Sequence, residues 1–274
     1  MISKSPQSQS QTNYSLCLDV GNTNLYGGVF AGEELITSFR RDTTTGSAAD
    51  EFGVFFRTVL RENGIDPSLV TKVGISSVVP SQVHSLRGAA VKYFNCEPFI
   101  LRAGVKTGLK ILMKNPPDVG ADRIANSISA VKRYPQQNII IVDFGTATTY
   151  CAISKNAEYL GGAIIPGIKI SMESLESRTA RLPRVEIVKP ENALGRSTVE
   201  SIQAGLYYSA VGCTREICQN LIRETFKNEK TIIIGTGGFS RMFEDAGLFD
   251  TILADLVLDG VRIAMELNTQ SFGN

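Results

Sequence analysis

Histidine and tryptophan are scarce in this sequence: His84 is the single histidine among 274 residues, and there is no tryptophan. One histidine excludes zinc sites built from several histidines and disfavours a Ser-His-Asp triad. His84 falls within a predicted amphipathic helix, where an imidazole needs no catalytic role. We therefore expect any acid–base chemistry to come from carboxylates.

The chain also lacks a charge excess and long apolar runs. Its 28 Lys+Arg and 27 Asp+Glu residues leave a formal net charge of +1. Without a global basic field, a protein whose main partner is nucleic acid or an anionic membrane is disfavoured. No stretch approaches the roughly 18 apolar residues that a membrane-spanning helix needs. We expect a soluble protein, without nucleic-acid or membrane partners, that holds any anionic ligand by local contacts.

Cysteine pairing is equally unsupported, because the five cysteines are odd in number and scattered, with no C-x-x-C pair. Their apolar surroundings predict reduced thiols packed in the core rather than a disulfide framework or a metal cluster. Reduced thiols are typical of the cytosol, so the predicted location is cytoplasmic. The five are Cys17, Cys96, Cys151, Cys213 and Cys218.

What is present is an alternation of strand-like and helical segments, which predicts an α/β fold. Residues 1–13 are polar, rich in Ser and Gln, and predicted to be a disordered N-terminal extension. Helices are predicted after an N-cap at Ser47 and over 81–94, 121–134, 198–226 and 254–267. Strands are predicted at 16–20, 26–30, 35–40, 73–79, 98–101, 138–142, 149–153, 158–160 and 231–234.

The opening pattern is repeated in the second half. Residues 16–23 and 140–147 share an apolar strand, an Asp near its end (Asp19 and Asp143), a Gly two residues later and a Thr close behind. The repeat predicts two similar domains, 14–134 and 135–274, with a cleft between them.

A strand-Asp-x-Gly-x-Thr hairpin can bind phosphate oxygens through backbone N–H groups and hydroxyls. The Asp suits a hydrated Mg²⁺ or another cation. A single copy is equally an ordinary hairpin, but two copies at matching places favour a functional role.

The segment Gly120-Ala121-Asp122-Arg123 lies at the start of a predicted helix. The helix dipole stabilises a carboxylate in the first turn, and Arg123 can bind a carboxylate or phosphate in bidentate fashion. By itself the pair is also consistent with a solvated helix start. Residues 161–167 are interpreted as two glycine turns around a short apolar step, which can let backbone pass near a ligand but are equally a plain tight turn. Residues 235–238 follow a predicted buried strand and match neither the G-x-G-x-x-G nor the Walker A pattern.

Taken together, these motifs resemble those of the type III pantothenate kinases over most of the chain, from Leu16 to about Leu267. Asp19 to Asn24 resembles their first phosphate motif, Gly120 to Arg123 their G-x-D-R motif, and Asp143 to Thr149 their second phosphate motif. Residues 161–167 and 195–198 also match. Met113 departs from the family pattern, because many members carry Tyr at this position.

The resemblance implies two ribonuclease-H-like domains of the acetate kinase/Hsp70/actin superfamily with the active-site cleft between them. It implies ATP-dependent phosphorylation of pantothenate, the first step of coenzyme A biosynthesis. It also implies a homodimer, with the substrate site at the subunit interface.

The same resemblance implies residue roles. Asp122 would be the general base, Asp143 would hold a monovalent cation such as K⁺ or NH₄⁺, and Asp19 would bind Mg²⁺. Pantothenate would contact Gly120, Ala121, Asp122, Arg123 and, from the partner subunit, Thr198. ATP would contact Asp19, Val20, Gly21, Asn22, Thr23, Asn24, Leu25, Tyr26 and Thr146. Two alternatives stay open: another small-molecule kinase of the superfamily, and a catalytically silent regulatory relative.

Overall fold

A computed structural model describes residues 13–44 and 46–269. The predicted disordered extension, 1–13, lies outside the described residues except for Asn13. The contacts divide the chain into two compact units, between Leu101 and Arg102.

The first unit holds a five-stranded sheet of order β3-β2-β1-β4-β5. Its elements are β1 (Tyr14–Val20), β2 (Asn24–Ala31), β3 (Glu34–Asp42), α1 (Ala49–Glu62), a 3₁₀ turn (Pro67–Leu69), β4 (Val70–Ser77), α2 (Pro80–Phe94) and β5 (Phe99–Ile100). Strands β1 to β3 form an antiparallel meander, and β4 pairs with β1 in parallel.

The core of this unit follows from periodicity. Alternate residues of β1 and one stripe of α1 are apolar and buried, including Leu16, Leu18, Phe52 and Phe56. The predicted N-cap at Ser47 is wrong, because Ala48 occupies the cap position without a side-chain bond. Ser47 is buried instead, and its hydroxyl accepts a 3.5 Å hydrogen bond from Arg41.

The second unit holds a six-stranded sheet of order β11-β10-β7-β8-β9-β6. Its strands are β6 (Lys110–Ile111), β7 (Asn138–Phe144), β8 (Ala147–Ile153), β9 (Glu158–Pro166), β10 (Thr231–Thr236) and β11 (Thr251–Ile252). Its helices are α3 (Ala121–Arg133), α4 (Ile168–Arg178), α5 (Thr198–Phe226) and α6 (Leu256–Thr269), with 3₁₀ turns at Pro116–Asp118 and Ser240–Ala246.

The two sheets repeat one topology. In each, three antiparallel strands form a meander (β1-β2-β3 and β7-β8-β9), and a later strand, β4 or β10, pairs in parallel with the first. The last strand, β5 or β11, extends the same edge in parallel, and β6 is an addition in the second unit. The predicted duplicated α/β fold is confirmed.

Two features differ from the sequence-based predictions. The predicted domain boundary follows Tyr134, whereas the compact units divide after Leu101, because α3 packs on α6 of the second unit. Gly161 and Gly162, interpreted as a turn, lie inside β9, where Gly162 pairs with Cys151.

None of the helices in the described part of the chain combines the length and hydrophobicity needed to cross a membrane. All five cysteines lie within the described residues, and none of them forms a disulfide. Cys17, Cys151 and Cys218 are buried as predicted, but Cys213 is exposed on α5.

Candidate active site

The first aspartate hairpin joins β1 to β2 in the first unit. Asp19 is the second-last residue of β1, and its register partners are Tyr26 on β2 and Ser76 on β4. The fully buried hydroxyl of Ser76 donates a 2.8 Å hydrogen bond to Asp19 Oδ1. That bond orients a partly exposed carboxylate at the carboxyl end of the strand.

Thr43, which directly follows β3, stabilises the turn of this hairpin. The N–H of Gly21 donates to the carbonyl of Asn24 at 3.0 Å and closes the turn. Thr43 donates from Oγ1 to the Gly21 carbonyl at 2.7 Å and from its N–H to the Thr23 carbonyl at 2.8 Å. The turn therefore has a fixed shape, in which Asn22 and Asn24 are exposed.

The ring of Tyr26 packs against the guanidinium group of an arginine. Its register partner on β3 is Arg40, whose guanidinium carbon lies 3.8 Å from the centroid of the Tyr26 ring. Because directly opposite residues share a sheet face, Asp19, Tyr26 and Arg40 form one row across three strands. Sequence reasoning found Asp19 and Tyr26 but not Arg40, Ser76 or Thr43, whose positions depend on strand pairing.

The second aspartate hairpin joins β7 to β8 in the second unit. Asp143 is again the second-last residue of its strand, and its register partners are Thr149 on β8 and Thr236 on β10. The side-chain amide of Asn126, on α3, donates a 2.9 Å hydrogen bond to Asp143 Oδ2. The two aspartates thus occupy equivalent places in the repeated topology.

Two glycines allow backbone to approach this second hairpin closely. Gly237 follows β10 with φ of +87°, and a Cβ there would lie 2.3 Å from Asp143 Oδ1. A Cβ at Gly167 would lie 2.3 Å from the carbonyl oxygen of Thr146, which accepts a 3.2 Å hydrogen bond from the Gly167 N–H. Both glycine-rich segments singled out in the sequence therefore converge on the Asp143–Thr146 turn.

Asp122 lies in the first turn of α3, where Gly120 occupies the N-cap position. The backbone N–H of Arg123 donates a 2.8 Å hydrogen bond to Asp122 Oδ1. Burial is the largest influence on this carboxyl and raises its pKa above the ordinary value of 3.8, outweighing that bond and the charge of Arg123. A raised pKa makes Asp122 a stronger base than a solvated aspartate.

Asp122 and Asn126 are one helical turn apart, so both lie on the same face of α3. Because Asn126 bonds to Asp143, this face brings the G-x-D-R motif and the second hairpin together within the second unit. Sequence reasoning did not find Asn126. The sequence feature that could have indicated Asn126 is its spacing of four residues from Asp122. This spacing becomes informative only when it is known which face of α3 points towards the second hairpin.

Arg123 turns towards the sheet rather than towards Asp122. Its guanidinium donates a 2.5 Å hydrogen bond to the hydroxyl of Tyr159 on β9, and its Cζ lies 5.6 Å from the centroid of that ring. Among the described ion pairs there is none between Asp122 and Arg123.

Thr198 lies elsewhere in the second unit, at the first residue of α5. Ser197 caps this helix, and its hydroxyl accepts a 3.2 Å hydrogen bond from the Glu200 N–H. Thr198 is exposed and lines a cavity of about 1000 Å³ formed by α4, α5 and the preceding loop. The described lining of that cavity includes neither Asp122 nor Asp143.

The surroundings of Asp143 fit a cation. Asn126 is 2% exposed, and its side-chain oxygen, Oδ1, has no hydrogen-bond partner among the described residues. A carboxylate beside an unpaired amide oxygen is a donor set that hard cations accept. Over residues 13–44 and 46–269, no three His, Cys, Asp or Glu side chains cluster as a ready-made metal site.

Comparison with solved structures agrees with the fold. A Campylobacter jejuni protein assigned to the Baf family of transcriptional activators superposes with a TM-score of 0.58 at 18% identity, covering 93% of this chain and 99% of that one. A Sinorhizobium meliloti protein assigned as a 2-dehydro-3-deoxygalactonokinase superposes with a TM-score of 0.56 at 10% identity, covering 91% and 97%. At these identities the likeness concerns the fold alone.

Comparison of sequences identifies the family. A type III pantothenate kinase from Legionella pneumophila (strain Corby) is 53% identical over 254 residues, which are 93% of this chain and 99% of the relative. A type III pantothenate kinase from Elusimicrobium minutum is 47% identical over 92% of this chain and 98% of the relative. The family model for type III pantothenate kinase matches residues 15–220. The chain therefore belongs to the type III pantothenate kinase family.

Proposed function

We propose that this protein transfers the γ-phosphoryl group of ATP to the primary hydroxyl of pantothenate, giving 4'-phosphopantothenate in the first step of coenzyme A biosynthesis. Family membership sets the reaction class. The observation that carries the proposal is the arrangement on α3, where the basic carboxylate of Asp122 lies one turn from the Asn126–Asp143 pair.

The first hairpin is the proposed ATP phosphate site. Its turn is held in one shape by Thr43, and Asp19 is oriented by Ser76. A preorganised turn of this kind binds phosphate oxygens without reorganising during the reaction. We assign Asp19 to Tyr26 to ATP, and Thr146, in the equivalent second turn, to the same nucleotide.

Cations complete the charge balance. Asp19 would hold Mg²⁺, and Asp143 with Asn126 would hold a monovalent cation such as K⁺ or NH₄⁺. Bound there, these ions neutralise charge that develops on the phosphate oxygens during transfer. The protein's own contribution is to align the two substrates and to accept the proton.

Asp122 is the proposed general base. The hydroxyl oxygen of pantothenate forms a bond to the γ-phosphorus while the bond from that phosphorus to the β,γ-bridging oxygen breaks, and ADP leaves with its electron pair. The hydroxyl proton passes to the Asp122 carboxylate. Because burial raises the pKa of Asp122, the carboxylate accepts this proton more readily than a solvated aspartate.

Pantothenate binding is assigned to Gly120 to Arg123 and to Thr198, with the protein acting as a homodimer. Thr198 is exposed, and the apolar side chains of Leu194 and Val199, near it in the sequence, are 75% and 42% exposed. Exposed apolar side chains at one helix start support an interface there. Five cysteines outside any disulfide support a reducing location, which we propose to be the cytoplasm.

A coupled assay of ADP release tests the reaction. The reaction contains ATP and Mg²⁺ with K⁺ or Na⁺, and the acceptor is pantothenate or one of a panel of sugars and small acids. We expect ADP release that depends on pantothenate and is faster with K⁺. ADP release with a sugar alone would favour another kinase of the superfamily, and no ADP with any acceptor would favour a non-catalytic relative.

Asp143→Ala tests the cation assignment in the same assay. We expect loss of the stimulation by K⁺, because the variant removes the charged ligand. Asp118→Ala, which changes an exposed aspartate just before α3, is the matched control and should respond to K⁺ as the wild type does. A normal K⁺ response in Asp143→Ala would place the cation site elsewhere.

A further inference from the structure

Tyr159 is a buried polar residue that the mechanism above does not use. Its side chain has no solvent exposure, yet its hydroxyl takes part in two hydrogen bonds. It accepts one from the Arg123 guanidinium and donates the other to Cys151 Sγ at 3.3 Å. The hydrogen bonds run in a directed chain from Arg123 through Tyr159 to Cys151, and Arg123 also interacts directly with the Cys151 side chain.

The direction of this chain fixes the hydroxyl. Because the Tyr159 proton points at Cys151, a lone pair of its oxygen remains for Arg123. Burial raises the pKa of Tyr159, so the side chain keeps that proton at neutral pH. Cys151 is also buried, and burial raises the pKa of its thiol.

The Arg123 guanidinium is held by hydrogen bonding at one nitrogen, whereas another of its nitrogens lacks a hydrogen-bond partner among the described residues. One terminal nitrogen bonds to Tyr159, and the guanidinium lies over the same ring. The Nε–H of Arg123 is buried and has no hydrogen-bond partner among the described residues. A buried, charged donor without a partner is costly unless a ligand completes its bonding.

We propose that Tyr159 is a positioning residue that holds the Arg123 guanidinium so that its Nε–H donates to bound pantothenate. The inference rests on the proposed function, since it takes pantothenate to be the ligand beside the G-x-D-R motif. Asn126 anchors the next turn of α3 to Asp143, so Tyr159 and Asp143 hold the two positions of α3, Arg123 and Asn126, that directly follow Asp122. Tyr159 acts on the substrate only through Arg123.

Tyr159→Phe is the central test, with Tyr150→Phe as its matched control. Tyr150 is also a fully buried tyrosine of the same sheet, but its hydroxyl bonds to Thr214 instead. We expect Tyr159→Phe to raise the KM and the calorimetric Kd of pantothenate about tenfold to hundredfold, the range for losing a hydrogen bond to a charged group. The KM of ATP should change less than about twofold, and Tyr150→Phe should leave both constants near those of the wild type.

A double-mutant cycle separates positioning from a general packing defect. Arg123→Lys removes the planar group that reaches both Tyr159 and the ligand. Once Arg123 is lysine, adding Tyr159→Phe should raise the KM of pantothenate by less than about twofold, because the two residues act as one unit. Independent effects that multiply in full would overturn the inference.

Cys151 provides a conservative rescue. Cys151→Ala removes the acceptor that orients the Tyr159 hydroxyl and should raise the KM of pantothenate, whereas Cys151→Ser retains an acceptor and should restore most of the affinity. If wild-type protein phosphorylates pantothenate but Tyr159→Phe behaves as Tyr150→Phe does, the inference fails and the proposed function stands. If wild-type protein does not phosphorylate pantothenate, both are wrong.

Discussion

At the scale of single residues, Asp122 is a carboxylate whose surroundings disfavour its charge. A pKa that is higher in the folded chain means that this group contributes stability below its unfolded pKa, and that the contribution is lost as pH rises through the folded pKa. At neutral pH the charged form of Asp122 therefore lowers the stability of the fold. The protein thus carries a destabilising charge at the position that we propose for the general base.

Asp122→Asn should separate activity from stability. We expect kcat to fall by about 10²–10⁴, the usual contribution of a general base, while pantothenate and ATP still bind. The unfolding midpoint at pH 7 should stay the same or rise, because a buried charge has been removed. Steady-state kinetics and thermal unfolding measure the two effects, with Asp118→Asn on the exposed surface as the control.

The pH dependence of kcat in the wild-type protein is a second test of the role of Asp122. The kcat should decline as pH falls through the raised pKa of Asp122, because protonation removes the base. Turnover near the wild-type rate in Asp122→Asn would contradict the assignment of the base.

Gly237 is the second position where one residue decides the site. Its backbone lies against the Asp143 carboxylate with φ of +87°, so a side chain there is both strained and in collision with Oδ1. Gly237→Ala should displace Asp143 and reduce kcat and K⁺ stimulation together. Gly238→Ala is the matched control, because a Cβ at Gly238 would meet no atom within 4 Å. Equal activities of the two variants in the ADP-release assay would show that close approach to Asp143 is not required.

At the scale of elements, α3 is held by α6 as well as by the sheet. A Cβ at Gly260 of α6 would lie 1.8 Å from the carbonyl oxygen of Ala125, so the two helices pack backbone to backbone. Beside this contact, Asp259 accepts hydrogen bonds from Ser129 at 2.6 Å, from Arg133 at 3.0 Å and from Arg262 at 2.8 Å. Helix α6 therefore fixes the helix that carries Asp122 and Arg123.

Asp259→Ala tests this attachment. Arg262 is only 3% exposed, and removal of Asp259 leaves its buried guanidinium with one carboxylate partner, Glu266, instead of two. We expect the free energy of unfolding to fall by about 1.5–3 kcal/mol in denaturant titrations, the range for losing hydrogen bonds to a charged group. Asp50→Ala, which breaks an exposed pair with Lys92, should change the stability little.

The pH dependence of this effect has a definite sign. Burial raises the pKa of Asp259, but hydrogen bonds from Ser129 and Arg262 and the charge of Arg262 outweigh burial, and the net pKa is lowered. The Asp259 contribution is therefore present above the unfolded pKa of about 3.8 and is lost as pH falls through the lower folded value. Equal stability of wild type and Asp259→Ala at pH 7 would contradict the role of the network.

Individual elements also show where local sequence signals fail. Ser47 has the chemistry of an N-cap, yet tertiary packing turns it inward to Arg41 and leaves Ala48 at the cap. Gly161 and Gly162 have the composition of a turn, yet they continue β9 because they pair with β8. In both cases the decisive contact comes from a residue on a neighbouring element, whose position depends on how strands and helices pack.

At the scale of the whole molecule, the same strand order occurs twice, and the proposed homodimer adds a further level of organisation. Mixed dimers test whether Thr198 acts on the partner's substrate. In an exchanged mixture of Asp122→Asn and Thr198→Ala subunits, each mixed dimer would contain one intact site if Thr198 serves the partner. In an equal mixture that freely exchanges subunits, half of the dimers are mixed and each has one intact site of two, so the mixture should recover about a quarter of wild-type activity.

Two controls make the mixing experiment decisive. Each variant is assayed alone at the same total concentration, and the mass in solution is measured by light scattering before and after mixing. Activity no higher than the mean of the two separate variants, in a protein shown to be a dimer, would place Thr198 in the site of its own subunit. A monomeric protein would contradict the homodimer directly.

The sequence by itself determined the repeated strand-Asp-x-Gly-x-Thr pattern, the duplicated α/β class and the place of Asp122 in the first turn of a helix. These depend on periodicity and short-range geometry, which lie within a few consecutive residues. Only the tertiary structure decided that α3 belongs to the second unit, that Asn126 bonds to Asp143 and that Tyr159 holds Arg123. Each of these contacts joins residues on different elements, so it exists only after strands have paired and helices have packed.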